Sequence, residues 1–384
     1  MQYNFDEIIE RRGTRSEKWD LYPPDVLPLW VADSDFKSPV PVIEAIQKLV
    51  KRGVFGYTLA DGAFERAYAR WAETRYGWAA DPGWVLWSPS LGAALATCIR
   101  AFTVPGERVA MLSPIYPPFI NLCHVNGRIP EQSALRDAGA GYTIDFADLE
   151  DRLAHPQTKL LLLCNPHNPT GRVFSVQELE RIGELCLRHK IVIFSDEIHA
   201  DIIFKGRHTA FPALSKELAA ITLVGMNASK TFNLADLRSA AVLSSSPELR
   251  KTFAGEIARA NLGRNSLGIA GVIAAYTDCD DYADQLVPYL EANLRHAVDF
   301  LTASTPKIKA GMPESTFLLW LDCKKIGLAQ PDLVKLFLER GKVALNSGIS
   351  FGDGGEGFMR LNVACPRATL QEGLNRIAAA LSTL

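Results

Sequence analysis

The chain has 384 residues, a formal net charge of −2, an apolar fraction of 48% and a charged fraction of 22%. Because the charge is near zero, nothing indicates a partnership with nucleic acid or an anionic membrane. The longest apolar runs have strand length, far below the roughly 20 residues that span a bilayer, and the N-terminus lacks the apolar core of a signal peptide. The seven cysteines include no C-x-x-C pair, which fits neither a disulfide framework nor a zinc site. We therefore expect a cytoplasmic protein without a bound metal.

Short apolar runs alternate with amphipathic stretches between about Pro82 and Ser244. A helix is predicted over residues 175–189, because Ser175 is a good N-cap and Glu178 follows three residues later. Continuously apolar strands separated by helices are typical of a mostly parallel sheet covered on both faces, with ligands bound at the carboxyl ends of its strands. The predicted strands are Trp84–Trp87, Arg108–Leu112, Lys159–Leu163, Ile191–Phe194 and Ile221–Val224.

The pattern changes towards the C-terminus, where strands and helices no longer alternate as βα units. Asp278–Asp281 is predicted to be a solvated loop. Together with the chain length, this change predicts a large domain over residues 46–283 and a smaller α+β domain built from residues 1–45 and 284–384. The elements predicted after the loop are helix Asp284–Leu301, strand Thr316–Leu321, helix Gln330–Arg340, strand Phe358–Val363 and helix Leu370–Leu381.

Lys230 and Asp196 each stand just past the end of a predicted strand. A lysine amine forms a Schiff base with an aldehyde, and a buried carboxylate holds a pyridine nitrogen protonated. Pyridoxal phosphate (PLP) needs both groups, because its ring is an electron sink only when that nitrogen carries positive charge. The alternative is an ordinary surface lysine and an unrelated aspartate, but their sequence surroundings favour a PLP site.

Three further stretches offer groups for such a cofactor and its substrate. Asn168 lies in the turn 165–171 and can donate to a phenolate oxygen, although Asn-Pro and Thr-Gly are also common turn dipeptides. Ser90, Leu91 and Gly92 open a predicted helix whose free N–H groups suit a phosphate, with Ser90 as a plain N-cap the alternative. Ser229 and Arg238 can add a hydroxyl and a cation to the same phosphate.

The run 352–357 matches G-x-G-x-x-G, but a strand follows it instead of the helix that a dinucleotide-binding loop requires. It is predicted to be a flexible loop leading to Arg360. That arginine lies in a mostly apolar strand, where an unpaired charge is costly, so it is predicted to bind a carboxylate ligand. An internal ion pair is the alternative. The run Asp33-Ser34-Asp35 is predicted to be a turn and not a metal pair.

With these residues in hand, the chain resembles PLP-dependent enzymes of fold type I, and within them the MalY/PatB-type cystathionine β-lyase (C–S lyase) family. The resemblance implies an α/β fold, in which a large domain has a mostly parallel sheet covered by helices and a smaller domain is α+β. It extends over almost the full length. The segments that carry it are Asn4–Asp6, Lys18–Asp20, Leu29–Asp33, Phe55–Tyr57, Pro114–Phe119, Cys164–Pro169, Ser195–His199, Ser229–Asn233 and Phe351–Arg367.

The resemblance also implies roles for individual residues. The catalytic residues would be Lys230, which binds PLP and moves the Cα proton, Asp196 at the pyridine nitrogen, and Tyr116 on the ring. The substrate would contact Arg360, Ala32 and Tyr116. A neighbouring subunit would contribute Tyr57, which implies a homodimer. The full set implied to contact the cofactor is Lys230, Asp196, Asn168, His199, Tyr116, Leu91, Gly92, Ser229, Arg238 and Tyr57.

The chain departs from the family pattern near the cofactor. The departures are the phosphate loop at residues 90–92, Met226 with Asn227, Asp236 and Ser315. We expect a C–S β-lyase acting on cystathionine, cysteine or another S-substituted cysteine. The departures keep an aminotransferase open as the first alternative, and a PLP-binding regulatory protein with residual lyase activity is the second.

Overall fold

The computed structural model describes residues 1–139, 141–382 and 384. The helices are α1 (Glu17–Asp20), α2 (Val40–Val50), α3 (Ala63–Tyr76), α4 (Leu91–Phe102), α5 (Pro117–Val125), α6 (Phe146–Ala154), α7 (Val176–His189), α8 (Lys216–Ala220), α9 (Ser229–Phe232), α10 (Pro247–Arg259), α11 (Ser266–Asp278), α12 (Asp280–Ser304), α13 (Gln330–Lys335) and α14 (Arg367–Leu381). The strands are β1 (Leu27–Pro28), β2 (Val85–Ser88), β3 (Arg108–Ser113), β4 (Ile129–Ala134), β5 (Arg136–Asp137), β6 (Tyr142–Thr143), β7 (Thr158–Cys164), β8 (Val192–Asp196), β9 (Thr222–Met226), β10 (Ala240–Leu243), β11 (Lys309–Ala310), β12 (Leu318–Asp322), β13 (Val343–Ala344), β14 (Asn346–Ser347) and β15 (Phe358–Asn362).

The larger sheet has the strand order β2-β10-β9-β8-β7-β3-β4, and every strand except β10 runs in the same direction. It is covered on both faces. In β7, Leu160 and Leu162 pack into one hydrophobic cluster, whereas Leu161 and Leu163 pack into another on the opposite face. This alternation follows from the two-residue period of a strand. The prediction of a mostly parallel sheet covered by helices is confirmed.

The second sheet is antiparallel and has the order β11-β12-β15-β14. The N-terminal segment joins this region, because β1 pairs in parallel with β13 through Leu27 and Val343. One hydrophobic cluster contains Phe5, residues of α3 and α11, and residues of α12 and α14. This apolar contact packs the second sheet and its helices firmly against the larger sheet. The domain boundaries at residues 45 and 283 stay a prediction.

The prediction of a solvated loop at Asp278–Asp281 is wrong. Asp278 ends α11, Cys279 is buried, and Asp280 and Asp281 form the first turn of α12. Acidic side chains are favoured there because they face the positive end of the helix dipole. By contrast, the predicted N-terminus of α7 is confirmed: Ser175 and Glu178 form a reciprocal capping box.

The seven cysteines all fall in the described part of the chain, where each is free and buried. Every helix within residues 1–139, 141–382 and 384 is too short or too polar to cross a membrane.

Candidate functional site

The predicted cofactor residues converge at the carboxyl ends of neighbouring strands. Asp196 is the last residue of β8, where it pairs in register with Cys164 of β7 and Gly225 of β9. Lys230 lies on the one-turn helix α9, which follows β9. Asn233 ends that helix in a left-handed conformation (φ 59°), and its side-chain amide donates to Ser34 O at 3.0 Å. The topology therefore brings a carboxylate and an amine to one edge of the sheet.

Lys230 points its amine at the segment that follows β1. Its Nζ donates to Ala32 O at 2.6 Å. The pKa of Lys230 is lowered from 10.5 to about 8, chiefly by burial and also by the charge of Arg360, while Asp33 and Asp196 oppose the shift. An amine with a pKa near 8 is partly neutral at physiological pH, which a nucleophile or a general base requires.

Asp196 is 4% exposed, and burial raises its pKa to about 7. The hydrogen bond from the Ile198 N–H at 3.1 Å and the charge of Lys230 oppose this shift, while Glu197 adds to it. A buried carboxylate with so few donors is stabilised as an anion by a nearby cationic group. A protonated pyridine nitrogen is such a group.

Arg360 is 3% exposed on β15. Its Nη1 donates to Asn168 Oδ1 at 3.0 Å, and its Nη2 donates to Trp30 O at 3.0 Å and to Asn346 Oδ1 at 2.6 Å. Burial lowers its pKa to about 10. Among the described residues no carboxylate pairs with it, so the alternative of an internal ion pair is not observed. The guanidinium has five N–H groups, of which three are used; its buried Nε has no partner in the part of the chain that is described.

The environment of Arg360 contains residues that the sequence did not indicate. Asn346 and Trp320 lie directly opposite Arg360 on the two flanking strands, so the three side chains share one face of the sheet. The guanidinium also lies 5.0 Å from the Phe351 ring centroid. Asn346 lies in β14, whose pairing with β15 cannot be read from the sequence, so no local signal identified it. Phe351 begins the stretch 351–367 that carries the resemblance, but no role was predicted for it.

The loop 352–357 that leads to Arg360 packs closely at Gly352 and Gly355, whereas Asp353, Gly354 and Glu356 are exposed, and its flexibility stays a prediction. A Cβ at Gly352, where φ is 83°, would lie 2.0 Å from Gln132 Oε1. Ile115 N–H donates to Phe351 O at 2.7 Å, which joins this loop to the segment that carries Tyr116. The loop precedes a strand, which agrees with the rejection of a dinucleotide-binding motif.

The other residues predicted to lie near the cofactor ring are Asn168, Tyr116 and His199. Asn168 does lie in a turn, closed by the Gly171 N–H donating to His167 O at 2.7 Å, but its side chain contacts Arg360. Burial raises the pKa of Tyr116, on which the charges of Arg360 and Asp196 also act. His199 is buried, which lowers its pKa, and its Nδ1 lacks a partner within the described residues. We call Lys230, Asp196, His199, Asn168 and Arg360 the ring-side cluster.

Three of the residues that are predicted to bind the phosphate of the cofactor lie around the start of α4. Ser90 Oγ accepts from the Ala93 N–H at 3.1 Å, so this serine acts as the N-cap. Leu91 packs closely against β9: a Cβ at Gly225 would lie 3.0 Å from Leu91 Cδ2. At Gly92 a Cβ would meet only Ser90 Oγ, at 3.8 Å, so the backbone there is accessible.

Two further residues predicted to bind phosphate, Ser229 and Arg238, lie at turns. Ser229 is the first residue of α9, and its N–H donates to Asn227 Oδ1 at 2.9 Å. Arg238 has φ 49°, a strained conformation of the kind found at ligand sites. Within the described residues no hydrogen bond joins the Ser229 hydroxyl or the Arg238 guanidinium to the rest of the site.

The segment 30–34 connects the amine to the guanidinium. Trp30 O accepts from Arg360 and Ala32 O accepts from Lys230, whereas Val31 O and Asp33 O both accept from Asn362 Nδ2, at 2.7 and 2.8 Å. The Asp33 N–H donates to Val31 O at 2.9 Å, so the segment bends at Ala32 and is not a regular strand. It contacts both the amine that is predicted to hold the cofactor and the strand β15, which carries Arg360.

The turn predicted at Asp33-Ser34-Asp35 is not observed, because the chain bends on either side, at residues 31–32 and at Phe36. Asp35 belongs instead to a buried ionic network. Asp35 is 4% exposed and accepts from Lys18 Nζ and Trp19 Nε1, each at 2.8 Å, and from Arg11 Nη1 at 2.7 Å. No pattern in the sequence indicated this ionic role, although Lys18 and Trp19 belong to the stretches that carry the resemblance. No group of three or more metal-ligating side chains occurs in the described ranges.

Tyr57 is the one predicted cofactor residue that stands apart from the others in a single chain. It is fully exposed on an irregular segment between α2 and α3. Neighbouring apolar side chains are exposed as well, with Phe55 at 62% and Leu59 at 83%. We call residues 54–59 the exposed arm.

A model of the family "Aminotransferase class I and II" matches residues 24–377. The chain belongs to this family. It is 41% identical to the cystathionine β-lyase PatB of Bacillus subtilis over 99% of this chain and 100% of that protein. Among solved structures it is similar to cystalysin of Treponema denticola, which contains PLP (TM-score 0.96, 32% identity, 100% of both chains), and to a PLP-bound C–S lyase of Staphylococcus hominis (TM-score 0.91, 30% identity, 99% of both chains). Within the family it therefore belongs to the MalY/PatB group of C–S lyases.

Membership of this aminotransferase family confirms the predicted fold type I and identifies PLP as the cofactor. The chemistry of the site fits that group. Asp196 is a buried carboxylate whose pKa is raised by burial to about 7, the Nδ1 of His199 is buried without a partner among the described residues, and Lys230 has a lowered pKa. The individual residue contacts to PLP stay predictions.

Proposed function

We propose that this protein is a PLP-dependent carbon–sulfur β-lyase that cleaves cystathionine, cysteine or a related S-substituted cysteine to pyruvate, ammonia and a thiol. The similarity to a cystathionine β-lyase over the full chain carries the proposal. The ring-side cluster supports it, because a buried guanidinium without a carboxylate partner among the described residues lies near an amine of lowered pKa.

When bound, PLP supplies an electron sink for the negative charge that develops at the substrate Cα. Lys230 would hold the cofactor and, once released by the incoming amino group, act as general base towards the Cα proton. Its lowered pKa keeps a useful fraction of the amine neutral. Asp196 would keep the ring nitrogen protonated, with Tyr116 against the ring and Asn168 and His199 near its oxygen. Leu91, Gly92, Ser229 and Arg238 would bind the phosphate.

Arg360 would bind the α-carboxylate of the substrate next to Ala32 and Tyr116. Asn168, Trp30 O and Asn346 orient the guanidinium before the substrate arrives, which reduces the entropy lost on binding. Expulsion of the β-substituent then needs little acid assistance, because a thiol has a pKa of about 8.5 and its thiolate is a good leaving group.

The assembly proposed is a cytoplasmic homodimer with Tyr57 of each subunit reaching the phosphate site of the other. The exposed arm supports this, because contiguous exposed apolar side chains are typical of interaction surfaces. The large domain at residues 46–283 and the small domain from both termini belong to the same proposal.

A test without any keto acid distinguishes lyase from transferase activity. Purified enzyme with L-cystathionine or L-cysteine should release pyruvate, ammonia and a thiol or sulfide in equal amounts over many turnovers, since elimination regenerates the cofactor in every cycle. L-alanine is the matched control substrate, because it lacks a leaving group at Cβ and should give no pyruvate under these conditions.

The second candidate is an aminotransferase, which the name of the matching family favours. It would transfer the amino group instead of expelling a β-substituent. A single turnover that stops, and that restarts only when a keto acid is added, would replace the lyase proposal with this one. Equal consumption of alanine and cysteine in the presence of a keto acid would also favour the aminotransferase.

A further inference from the structure

Lys230 lies on a helix that is too short to fix its own orientation. Helix α9 spans Ser229–Phe232, and its backbone bonds include the Phe232 N–H to Ala228 O at 2.9 Å. A single helical turn is marginal by itself, because few hydrogen bonds offset the ordering of the backbone. The direction of the Lys230 side chain therefore depends on what holds α9 in place.

One holding contact involves Thr231, the residue next to Lys230. Thr231 is buried, and its Oγ1 donates to Asp201 Oδ2 at 2.6 Å. The other oxygen of that carboxylate accepts from Trp71 Nε1 at 2.9 Å and from Tyr76 OH at 2.6 Å. Hydrogen bonds to an ionised carboxylate are shorter and stronger than those between neutral groups, so Asp201 is a firm anchor for α9.

The donors on α3 are fixed by aromatic packing. Trp71 stacks on Tyr276 of α11 with ring centroids 4.6 Å apart, and it meets the edge of Phe232 at 5.6 Å. Phe232 belongs to α9 itself. The indole therefore contacts α9 through its ring and anchors Asp201 through its N–H.

The turn that carries Asp201 is equally constrained. It follows β8, whose last residue is Asp196, and it also contains His199. Glu197 holds this turn in place. Its buried carboxylate accepts from the Ser195 hydroxyl at 2.8 Å and from the Phe211 N–H at 3.0 Å, and it lies 2.8 Å from His208 Nε2. The hydrogen bond between Asp201 and Thr231 therefore links this constrained turn to the one-turn helix α9.

We propose that Asp201 is a positioning residue for Lys230, acting through the hydroxyl of Thr231. The proposal rests on the proposed function only in that Lys230 must meet both the cofactor and the substrate Cα. Asp201 fixes the separation between the turn that directly follows Asp196 and the helix that bears Lys230. Without Asp201, α9 would shift, and the Lys230 amine would no longer be held against Ala32 O and close to Asp196.

The test compares Thr231→Val with Thr231→Ser and Tyr76→Phe in the holoenzyme. Thr231→Val keeps the shape of the side chain but removes the donor to Asp201, so kcat should fall about 10- to 100-fold with KM nearly unchanged. Thr231→Ser restores the donor and should restore kcat. Tyr76→Phe removes a donor from the other oxygen of the same carboxylate, so it should lower stability while leaving kcat within about twofold of wild type.

Hydrogen exchange of the peptide covering residues 228–234 supplies a readout that does not depend on activity. It should rise in Thr231→Val and in Asp201→Asn but not in Thr231→Ser, and the Asp201→Asn/Thr231→Val double variant should lose less kcat than the sum of the single losses. The proposal is overturned by wild-type kcat and exchange in Thr231→Val, or by an equal kcat loss in Tyr76→Phe. Hydrogen exchange is measured without substrate, and kcat can be measured with any amino acid that the wild type consumes. If the proposed substrate class is wrong, both tests of the role of Asp201 therefore remain valid.

Discussion

The ring-side cluster and the exposed arm are predicted to serve the same cofactor, yet their environments are opposite. In the ring-side cluster, Asp196 and Arg360 are almost completely buried, and burial shifts the pKa of both. In the arm, Tyr57 is fully exposed. Proton transfer needs charges in a water-poor site, where they interact strongly. A residue that serves a second subunit must instead project from its own chain.

This contrast gives an experimental rule. Changes in the ring-side cluster should have the same effect at every protein concentration, because one chain supplies all its groups. Changes in the arm should have effects that depend on assembly.

Lys230→Ala should give the largest effect. It removes the only amine of the ring-side cluster, so turnover should fall to background and PLP should no longer be attached covalently. Loss of the visible absorbance and of a borohydride-reducible adduct would be measured, with the exposed Lys205→Ala as control. A full-occupancy adduct in the Lys230 variant would assign attachment to another lysine.

Asp196→Asn should keep PLP bound but slow proton removal at Cα. An amide cannot hold the ring nitrogen protonated, and removing one member of a buried charge pair costs roughly 3–5 kcal/mol, or about 10²–10⁴ in rate. Single-turnover rates and cofactor absorbance at several protein concentrations provide the measurement. A near-normal kcat would take Asp196 out of the site.

Arg360→Ala should lower kcat/KM for α-amino acids by about 10²-fold, a loss on the order of 3 kcal/mol, while the cofactor absorbance stays intact. Arg360→Lys should recover part of it, because lysine keeps the charge but not the planar fork. Comparing amino acids with the corresponding simple amines gives the check. If wild type used both equally well, no carboxylate clamp would exist.

The pH dependence of cofactor attachment should be the next largest effect. Only the neutral amine attacks an aldehyde, and burial lowers the pKa of Lys230 from 10.5 to about 8. Attachment of PLP to the apoenzyme should therefore rise about tenfold per pH unit below pH 8 and level off above it. Stopped-flow absorbance would follow the reaction, and a rise that continues towards pH 10 would indicate an ordinary, solvated lysine.

Tyr57→Phe should give the smallest effect. Losing one hydrogen bond to the phosphate costs about 1 kcal/mol, so PLP affinity should fall roughly fivefold. Dilution of wild type below its dimer dissociation constant should reproduce this loss, and further dilution should add nothing to it once the subunits are apart. Tight, concentration-independent PLP binding in a monomer would place Tyr57 outside the site.

The parts of the fold that were predictable depend on local chemistry. The capping box of Ser175 and Glu178 and the central strands were found because their signals lie within a few residues. The prediction of a solvated loop at 278–281 is wrong because two aspartates of this run stabilise the start of α12. In another structural context the same residues would form a solvated loop.

The residues that were missed act across long stretches of sequence. Asn346 meets Arg360 only because β14 and β15 pair, and Asp201 meets Thr231 across 30 positions. Such contacts are set by strand register and helix packing, which no local pattern specifies. The reactive groups themselves were predictable because their side-chain chemistry occurs together with informative neighbouring residues, while the groups that orient them are ordinary amides, hydroxyls and carbonyls.

The segment 30–34 has a consequence for anyone who wishes to change what this enzyme accepts. Two carbonyls in it, two residues apart, hold the Lys230 amine and the Arg360 guanidinium. A substitution that shifts this backbone to enlarge the pocket would also move Lys230, the proposed general base. Such a substitution would therefore change substrate selectivity and lower turnover at the same time. Laboratory evolution should therefore find more tolerant routes around Phe351 and Trp320, which contact the guanidinium side without contacting the amine.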